Sequence, residues 1–505
     1  MVKISTNQSI IDIIKSYNGP CLFNEDRSEI KYETLGENIE LIGAQLSSID
    51  LKKNKICALV LPNGIDMAMS FLALANFVTV SPLNPNYTKE EFLFFLQDLD
   101  CEFIIADKNA SNALIEAAEQ LSIRLFYLNS DTPKNGLSIK SLPTSSVCSL
   151  DQNKDEDFCL ILHTSGTTSR PKQVQLSCTN VISSALNIAH VLKLKKADKG
   201  LNIMPLFHIH GLIASLLSSV VTGSSLVCTS GFNALSFYSN ITTFKPTWIT
   251  AVPTMYQAIL SRASRNKEII KAANLRLLRS SSAAMPVATI ESLENVFQCP
   301  VIEAYGMTEA SHQMASNFLD SIRKPGSVGK PAGPEIALFK NNKLITTKHT
   351  VGEIVIRGAN VTKGYKNNEK ANKENFLDGW FKTGDLGKFD EDGFLFISGR
   401  IKEIINKGGE KISPQEIDEA LMKHEGVFQA VCFSMKHEKL GEDIAAAVVL
   451  KEGKTVDQKE LRTHLSKSIT TFKIPRKILI LSEIPKGNTG KIQRIGLAKK
   501  LGLET

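Results

Sequence analysis

The run His163-Thr164-Ser165-Gly166-Thr167-Thr168-Ser169-Arg170-Pro171-Lys172 crowds hydroxyl side chains around one glycine and ends on a lysine. Backbone N–H groups and three or four hydroxyls in such a loop converge on an anion, as in a phosphate-cradling nest, and Lys172 adds a point charge. The loop directly follows an apolar run, residues 159–163, which reads as a buried strand. The GxxxxGK[ST] spacing of a Walker A loop is absent. Nine histidines include no HExxH, so no zinc site is expected, and nine cysteines without a CxxC pair read as reduced thiols in a cytosolic protein.

The elements that must hold this loop alternate between short apolar runs and helical patterns, which predicts an α/β fold with helices packed on largely parallel sheets. Residues 111–121 predict a helix, and Asn180 is expected to cap a helix over 181–192. Residues 200–244 carry no Asp, Glu, Lys or Arg. Pro205, Gly211, Gly223 and Gly231 interrupt that stretch, so it reads as buried core and not as a membrane span. A β-rich subdomain is expected at about 320–398, with strands at 353–357 and 393–398. Ser413-Pro414-Gln415-Glu416 reads as a capping box that starts a helix with Ile417, Ala420 and Leu421 on one face. Strands are expected at 445–450 and 477–481, so the last hundred residues predict a small α+β domain.

At 505 residues the chain is long enough for several folding units, and 43% hydrophobic with 22% charged residues excludes a disordered or fibrous protein. The net charge of +7 is small for this length, so a dedicated nucleic-acid binder is not the first expectation, its only support being the basic C-terminal segment. Residues 462–500 nevertheless hold ten Lys and Arg against the single acid Glu483, which favours a polyanion such as a nucleotide.

Further motifs follow the hydroxyl-rich loop in order: Tyr305-Gly306-Met307-Thr308-Glu309, Thr383-Gly384-Asp385, Gly399-Arg400-Ile401-Lys402, Gly408-Gly409-Glu410-Lys411-Ile412-Ser413-Pro414, and Pro485-Lys486-Gly487-Asn488-Thr489-Gly490-Lys491. Together the six resemble the motif set of the adenylate-forming superfamily of acyl-CoA synthetases, luciferases and peptide-synthetase adenylation domains, over nearly the whole chain. The resemblance implies a large multi-subdomain N-terminal adenylation domain at 1–399, a hinge at 400–402 centred on Lys402, and a small mobile C-terminal lid at 403–505. It implies contacts to ATP from Thr164, Ser165, Gly166, Thr167, Thr168, Lys172, Ala283, Glu303, Ala304, Tyr305 and Gly306. Asp385 would accept the ribose hydroxyls, and Arg400 would reach the ribose or phosphates. Thr308 and Glu309 would serve catalysis, Glu309 as the Mg²⁺-linked carboxylate, and Lys491 would join the substrate carboxylate to the α-phosphate. Gly408, Gly409 and Glu410 would line a tunnel for the pantetheine arm of coenzyme A. Ser169 and Gln173 stand where the superfamily commonly has glycine.

The segments matching the acyl pocket, PLFHIHG, RSSS and TEASH, are polar, which disfavours a long alkyl chain and favours a small polar or dicarboxylic acid. HTSGTTSRPK, PLFHIHG, TEASHQM, KPGSVGKP and NVTKGYKNNEKANK are similar to oxalate–CoA ligases in particular. From that likeness His208, Ser282 and His312 are the candidates for holding a distal carboxylate. The implied reaction is AMP-forming acid–CoA ligation with ATP, Mg²⁺ and coenzyme A. Alternatives are loading of a carrier-protein thiol, a medium-chain acyl-CoA synthetase, and a nucleotide-binding module without catalysis. No nucleic acid or membrane is expected as a partner. The final Gly-Leu-Glu-Thr lacks a peroxisomal SKL-type ending, so the cytoplasm is the expected compartment.

Overall fold

The computed structural model describes residues 5–49, 56–130, 137–144, 150–164, 171–486 and 492–504. The large N-terminal domain is built on a seven-stranded and a nine-stranded sheet, both mainly parallel, with helices packed against them. A six-stranded antiparallel sheet follows, and a five-stranded sheet forms the small C-terminal domain. The stretch at 200–244 supplies two strands of the nine-stranded sheet, a buried π-helical segment His210–Leu217 and the helix Phe237–Phe244.

The elements that bear on the site are these, in chain order. Strand β1 (Phe158–Thr164) pairs antiparallel with β2 (Lys172–Ser177), which sets Thr164 opposite Lys172 at the mouth of the hydroxyl-rich loop. Cys159, Leu160, Ile161 and Leu162 are all buried, as expected of a strand covered on both faces. Helix α1 (Cys178–Leu192) follows. Its cap is Ser177, with Asn180 as the reciprocal partner three residues on, so the expected cap at Asn180 is displaced by three residues. The Asn180 amide donates instead to the carbonyls of Ala359 and Val361.

Three parallel strands lie side by side: β3 (Trp248–Ala251), β4 (Leu277–Ser280) and β5 (Val301–Met307). Strand β6 (His312–Ser316) turns back antiparallel to β5. Strands β7 (Trp380–Phe389) and β8 (Leu395–Arg400) form an antiparallel pair. A single turn, Ile401–Glu403, leads into β9 (Ile405–Lys407) and β10 (Glu410–Ile412) of the C-terminal sheet. Helix α2 (Pro414–Met422) then buries Ile417, Ala420 and Leu421. Ser413 sits at its start without capping it, because the Ser413 hydroxyl donates to the Ser398 carbonyl at 2.7 Å. The long hairpin β11 (Val427–His437) and β12 (Gly441–Leu450) completes the centre of that sheet, and Lys477–Ile480 adds a parallel edge.

The C-terminal sheet is apolar on both faces. One packs on α2 and the helix Gln458–Ser466, the other on Ile484, Leu497 and Ala498 from the end of the chain. Among the described residues no helix is long and apolar enough to cross a membrane.

Candidate active site

Two polar clusters meet at the carboxyl ends of the parallel strands, where open α/β sheets bind ligands. The first is anchored by Asp385 on β7. Its register partner on β8 is Arg400, whose Nε donates to Asp385 Oδ1 at 2.7 Å. The Tyr305 hydroxyl, at the end of β5, donates to Asp385 Oδ2 at 2.5 Å. The Asp385 N–H donates to Thr383 Oγ1, whose own hydroxyl is spent on the Ile354 carbonyl. Asp385 thus presents a fixed, buried carboxylate beside an aromatic ring. Burial and the Asp385 charge push the Tyr305 phenol upward, and the same carboxylate raises Arg400.

Glu309 lies in the single turn Thr308–Ala310 beyond β5 and is 6% exposed. The Tyr365 hydroxyl donates to Glu309 Oε1 at 2.8 Å, and the Lys172 ammonium lies 4.4 Å from the centre of the Tyr365 ring. Burial raises the Glu309 carboxyl above the usual range; Tyr365, Arg400 and Lys172 pull against it. Lys172 is itself lowered, by burial and by the like charge of Lys402, against the pull of Glu309. A desolvated carboxylate among cationic side chains suits a divalent ion that draws its remaining ligands from phosphates and water. Among the described residues no set of three or more metal-type side chains gathers, so Mg²⁺ would rest on Glu309.

The second cluster is built around a charge that sequence reading passed over. Arg279 on β4 is fully buried, and none of the ion pairs of the described residues involves it. Its register partner Thr250 on β3 accepts from Nη1 at 3.2 Å, Gln313 Oε1 accepts from Nη2 at 2.9 Å, and His312 Nδ1 lies 3.5 Å from Nη2. Burial pushes the guanidinium down to about 10, still a cation at neutral pH. His210 spans the gap between Thr250 Oγ1, 2.7 Å from Nε2, and Ser282 Oγ, 3.1 Å from Nδ1. The His210 and His312 rings meet edge to face with centres 4.8 Å apart.

The backbone here is strained. Ser282, Ser311 and His312 have φ of +72°, +50° and +92°, a region that residues with a side chain rarely occupy. Asn360 braces the turn by donating to the Ala310 and Gln313 carbonyls. Gly306 is dictated by that turn, since a Cβ there would stand 1.6 Å from the His312 carbonyl oxygen.

Residues 15–366 match the family model of the AMP-binding enzymes, and residues 416–491 match the model of their C-terminal domain. The chain belongs to the AMP-binding enzyme family. It is 42% identical over 476 residues to an oxalate–CoA ligase of Arabidopsis thaliana, covering 92% of each chain. To an oxalate–CoA ligase of Saccharomyces cerevisiae it is 39% identical over 470 residues, covering 88% of this chain and 86% of the relative. Among solved structures, ATP-bound MatB from Rhodopseudomonas palustris superposes with a TM-score of 0.89 at 25% identity, covering 98% of this chain and 99% of that one.

In this AMP-binding enzyme the expected residues divide by location. Tyr305, Asp385 and Arg400 form one hydrogen-bonded group, and Thr308, Glu309 and Lys172 lie beside it. His312 and Ser282 come together through His210, whereas His208 lines an adjoining cleft with Thr308, Phe207, His163 and Tyr87. The Ala304 carbonyl is held by the Ser281 hydroxyl, and Ala283 is exposed beyond β4. Glu303 accepts from the Gly326 N–H at 2.9 Å. Ser165, Gly166, Thr167, Thr168 and Lys491 lie outside the described residues. The flanks of Lys491 are described: Lys486 bridges Ile492, and Arg494 pairs with Glu403 of the interdomain turn at 3.2 Å. Gly408 and Gly409, with φ of +60° and +94°, form the exposed tip between β9 and β10, followed by Glu410. Gln173 needs no glycine-like backbone, because it is a β2 residue opposite His163 whose amide donates to Asp98.

Arg279, Thr250, His210, Gln313 and Tyr365 are the site residues that sequence reading did not select. Arg279 directly after the apolar pair Leu277-Leu278 was the available signal for the first. Tyr365 gave none, since only the fold brings it to Glu309.

Proposed function

We propose that this enzyme activates oxalate, or a closely similar small dicarboxylic acid, as its CoA thioester. It is an AMP-forming acid–CoA ligase. A carboxylate oxygen attacks the α-phosphorus of ATP and pyrophosphate leaves; the CoA thiol then attacks the acyl carbon and AMP leaves. The observation that carries the substrate assignment is the buried guanidinium of Arg279, uncompensated by any described carboxylate and joined by hydrogen bonds to the His210–Ser282 and His312 group. A buried unpaired charge is costly, and a second carboxylate on the substrate offsets that cost where an alkyl chain does not. The relatives named for oxalate support the same choice.

The roles follow from chemistry and position. Asp385 accepts the ribose hydroxyls, Arg400 orients it and borders the phosphates, and Tyr305 lies against the adenine. Mg²⁺, held by Glu309, neutralises phosphate charge when bound. Tyr365 fixes the Glu309 carboxylate, and Lys172 adds positive charge beside it. Thr308 contacts the α-phosphate. Lys491 neutralises the two oxyanions that must meet. Its neighbour Arg494 is tied to the interdomain turn, which supports a loop carried by rotation of the small domain about Lys402. Gly408, Gly409 and Glu410 then guide the pantetheine arm in the second step. The inferred compartment is the cytoplasm, supported by the eight described cysteines, all free and buried.

Purified enzyme incubated with ATP, Mg²⁺ and oxalate is expected to release pyrophosphate, and oxalyl-CoA is expected only when CoA is added. Pyrophosphate release without any CoA thioester would redirect the second step to a carrier-protein thiol. Lys491→Ala is expected to cut oxalate-dependent pyrophosphate release by roughly 10²-fold or more. Near-normal release would remove Lys491 from the first step.

A further inference from the structure

The hydrogen bonds behind Ser282 admit one set of proton positions that leaves no buried hydroxyl unsatisfied, and that set begins at Arg279. Every N–H of a guanidinium donates and none accepts. Arg279 Nη1 therefore donates to Thr250 Oγ1, at 3.2 Å. Thr250 is 1% exposed, and among the described residues the only other partner of its hydroxyl is His210 Nε2, at 2.7 Å. Were Nε2 to carry the proton, the Thr250 hydroxyl would accept twice and its own hydrogen would be buried without an acceptor, a costly arrangement. The hydroxyl thus donates to Nε2. A doubly protonated His210 is disfavoured beside the buried cation. Neutral His210 then carries its proton on Nδ1, which lies 3.1 Å from Ser282 Oγ and donates to it. Ser282, half-buried, accepts on that side, which leaves its own O–H to donate away from His210.

The same polarity runs along two side branches. The His210 backbone N–H donates to His208 Nδ1 at 3.3 Å, which sets the His208 proton on Nε2. Arg279 Nη2 faces His312 Nδ1 at 3.5 Å, so that nitrogen too is turned to a group that only donates.

We propose that Arg279 and Thr250 are positioning residues that fix the His210 tautomer, so that Ser282 presents a hydroxyl hydrogen to the distal carboxylate of the substrate. This rests on the dicarboxylate reading above and deepens it. The pocket selects an anion because its orienting chain starts from a group that only donates. A pocket of the same shape with the opposite tautomer would present the Ser282 lone pairs and repel a carboxylate.

The test uses the full-length enzyme labelled with ¹⁵N-histidine, in which nitrogen shifts separate Nδ1–H from Nε2–H and His210→Gln identifies the resonance. Wild type is expected to show His210 protonated on Nδ1. Thr250→Val, close in shape, is expected to lose that fixed tautomer and to raise KM for oxalate about tenfold or more, with KM for ATP within about twofold. Thr250→Ser is expected to restore both the tautomer and the oxalate KM. An Nε2-protonated His210 in wild type, an unchanged oxalate KM in Thr250→Val, or a failure of Thr250→Ser to rescue would each overturn the proposal. The expected tautomer in an enzyme that does not turn over oxalate would support the orienting chain and overturn the substrate reading alone.

Discussion

Glu309 and Tyr365 stand 56 positions apart in sequence, yet one hydrogen bond couples them at the edge of the proposed phosphate site. The Glu309 carboxyl is raised by burial and held in check partly by that bond. Its ionised form is the one that attracts a divalent ion, so activity should fall as pH drops through its raised pKa. Tyr365→Phe removes a stabilising donor from the charged form, which raises the pKa further. The acidic limb of kcat/KM for ATP is therefore expected to move to higher pH in Tyr365→Phe. An unmoved limb in a pH–rate profile would contradict this role for Tyr365. The same residues show what the sequence could convey. Glu309, Asp385, Arg400 and Lys172 were found because their motifs are contiguous. Tyr365 and Thr250 were not, because a buried tyrosine or threonine on a distant element looks like ordinary core until the chain is folded.

Element geometry explains why the second polar cluster exists. Thr250 and Arg279 are register partners on adjacent parallel strands, and Met307 with His312 are partners across β5 and β6. Register alone brings these side chains to one place. Strand and helix identities were legible where the apolar pattern was strong, as at 159–163, 111–121 and 417–421. Caps were less legible: Ser177 caps the helix three residues before Asn180, whose side chain is the reciprocal partner, and the Ser413 hydroxyl is taken by the Ser398 carbonyl. Strand β5 also carries Glu303, which burial pushes up to about 8, with Glu419 of α2 adding like charge and the Gly326 N–H pulling it down. A carboxyl with a raised folded pKa contributes stability fully below its unfolded pKa and loses it as pH rises through the folded value. Wild type should therefore lose stability between about pH 5 and 9 through this group, given a folded value of about 8. Glu303→Gln keeps an acceptor for Gly326 and does not ionise. It is expected to raise Tm more at alkaline than at acidic pH. Equal shifts at both ends in thermal melts would contradict the assignment.

At the scale of the molecule, the proposed reaction has two chemical steps that would share one nucleotide site and two regions of the small domain. The exposed Gly408–Gly409 tip has open space around the Gly409 Cβ position. Gly409→Leu is expected to leave oxalate-dependent pyrophosphate release within a few-fold of wild type while reducing oxalyl-CoA formation about tenfold or more, because a side chain strained at φ +94° and its bulk both disturb the tip proposed to guide the pantetheine arm. Equal losses in both half-reactions, measured separately, would contradict a role confined to the second. The α/β class with a small C-terminal domain was readable from alternating patterns and a change of character along the chain. The cross-chain meeting of Arg279, His210 and Ser282 was not, because it depends on strand order.

Direct competition between acids tests the central claim that a buried cation makes this a pocket for small dianions. Enzyme supplied with ATP, Mg²⁺ and CoA would receive equimolar oxalate, malonate, acetate and octanoate, and the CoA thioesters would be quantified by mass spectrometry. Oxalyl-CoA is expected to exceed acetyl-CoA and octanoyl-CoA by roughly 10²-fold or more, since a site built around polar partners rejects acids that lack them. A dominant acetyl-CoA or octanoyl-CoA product would contradict the account.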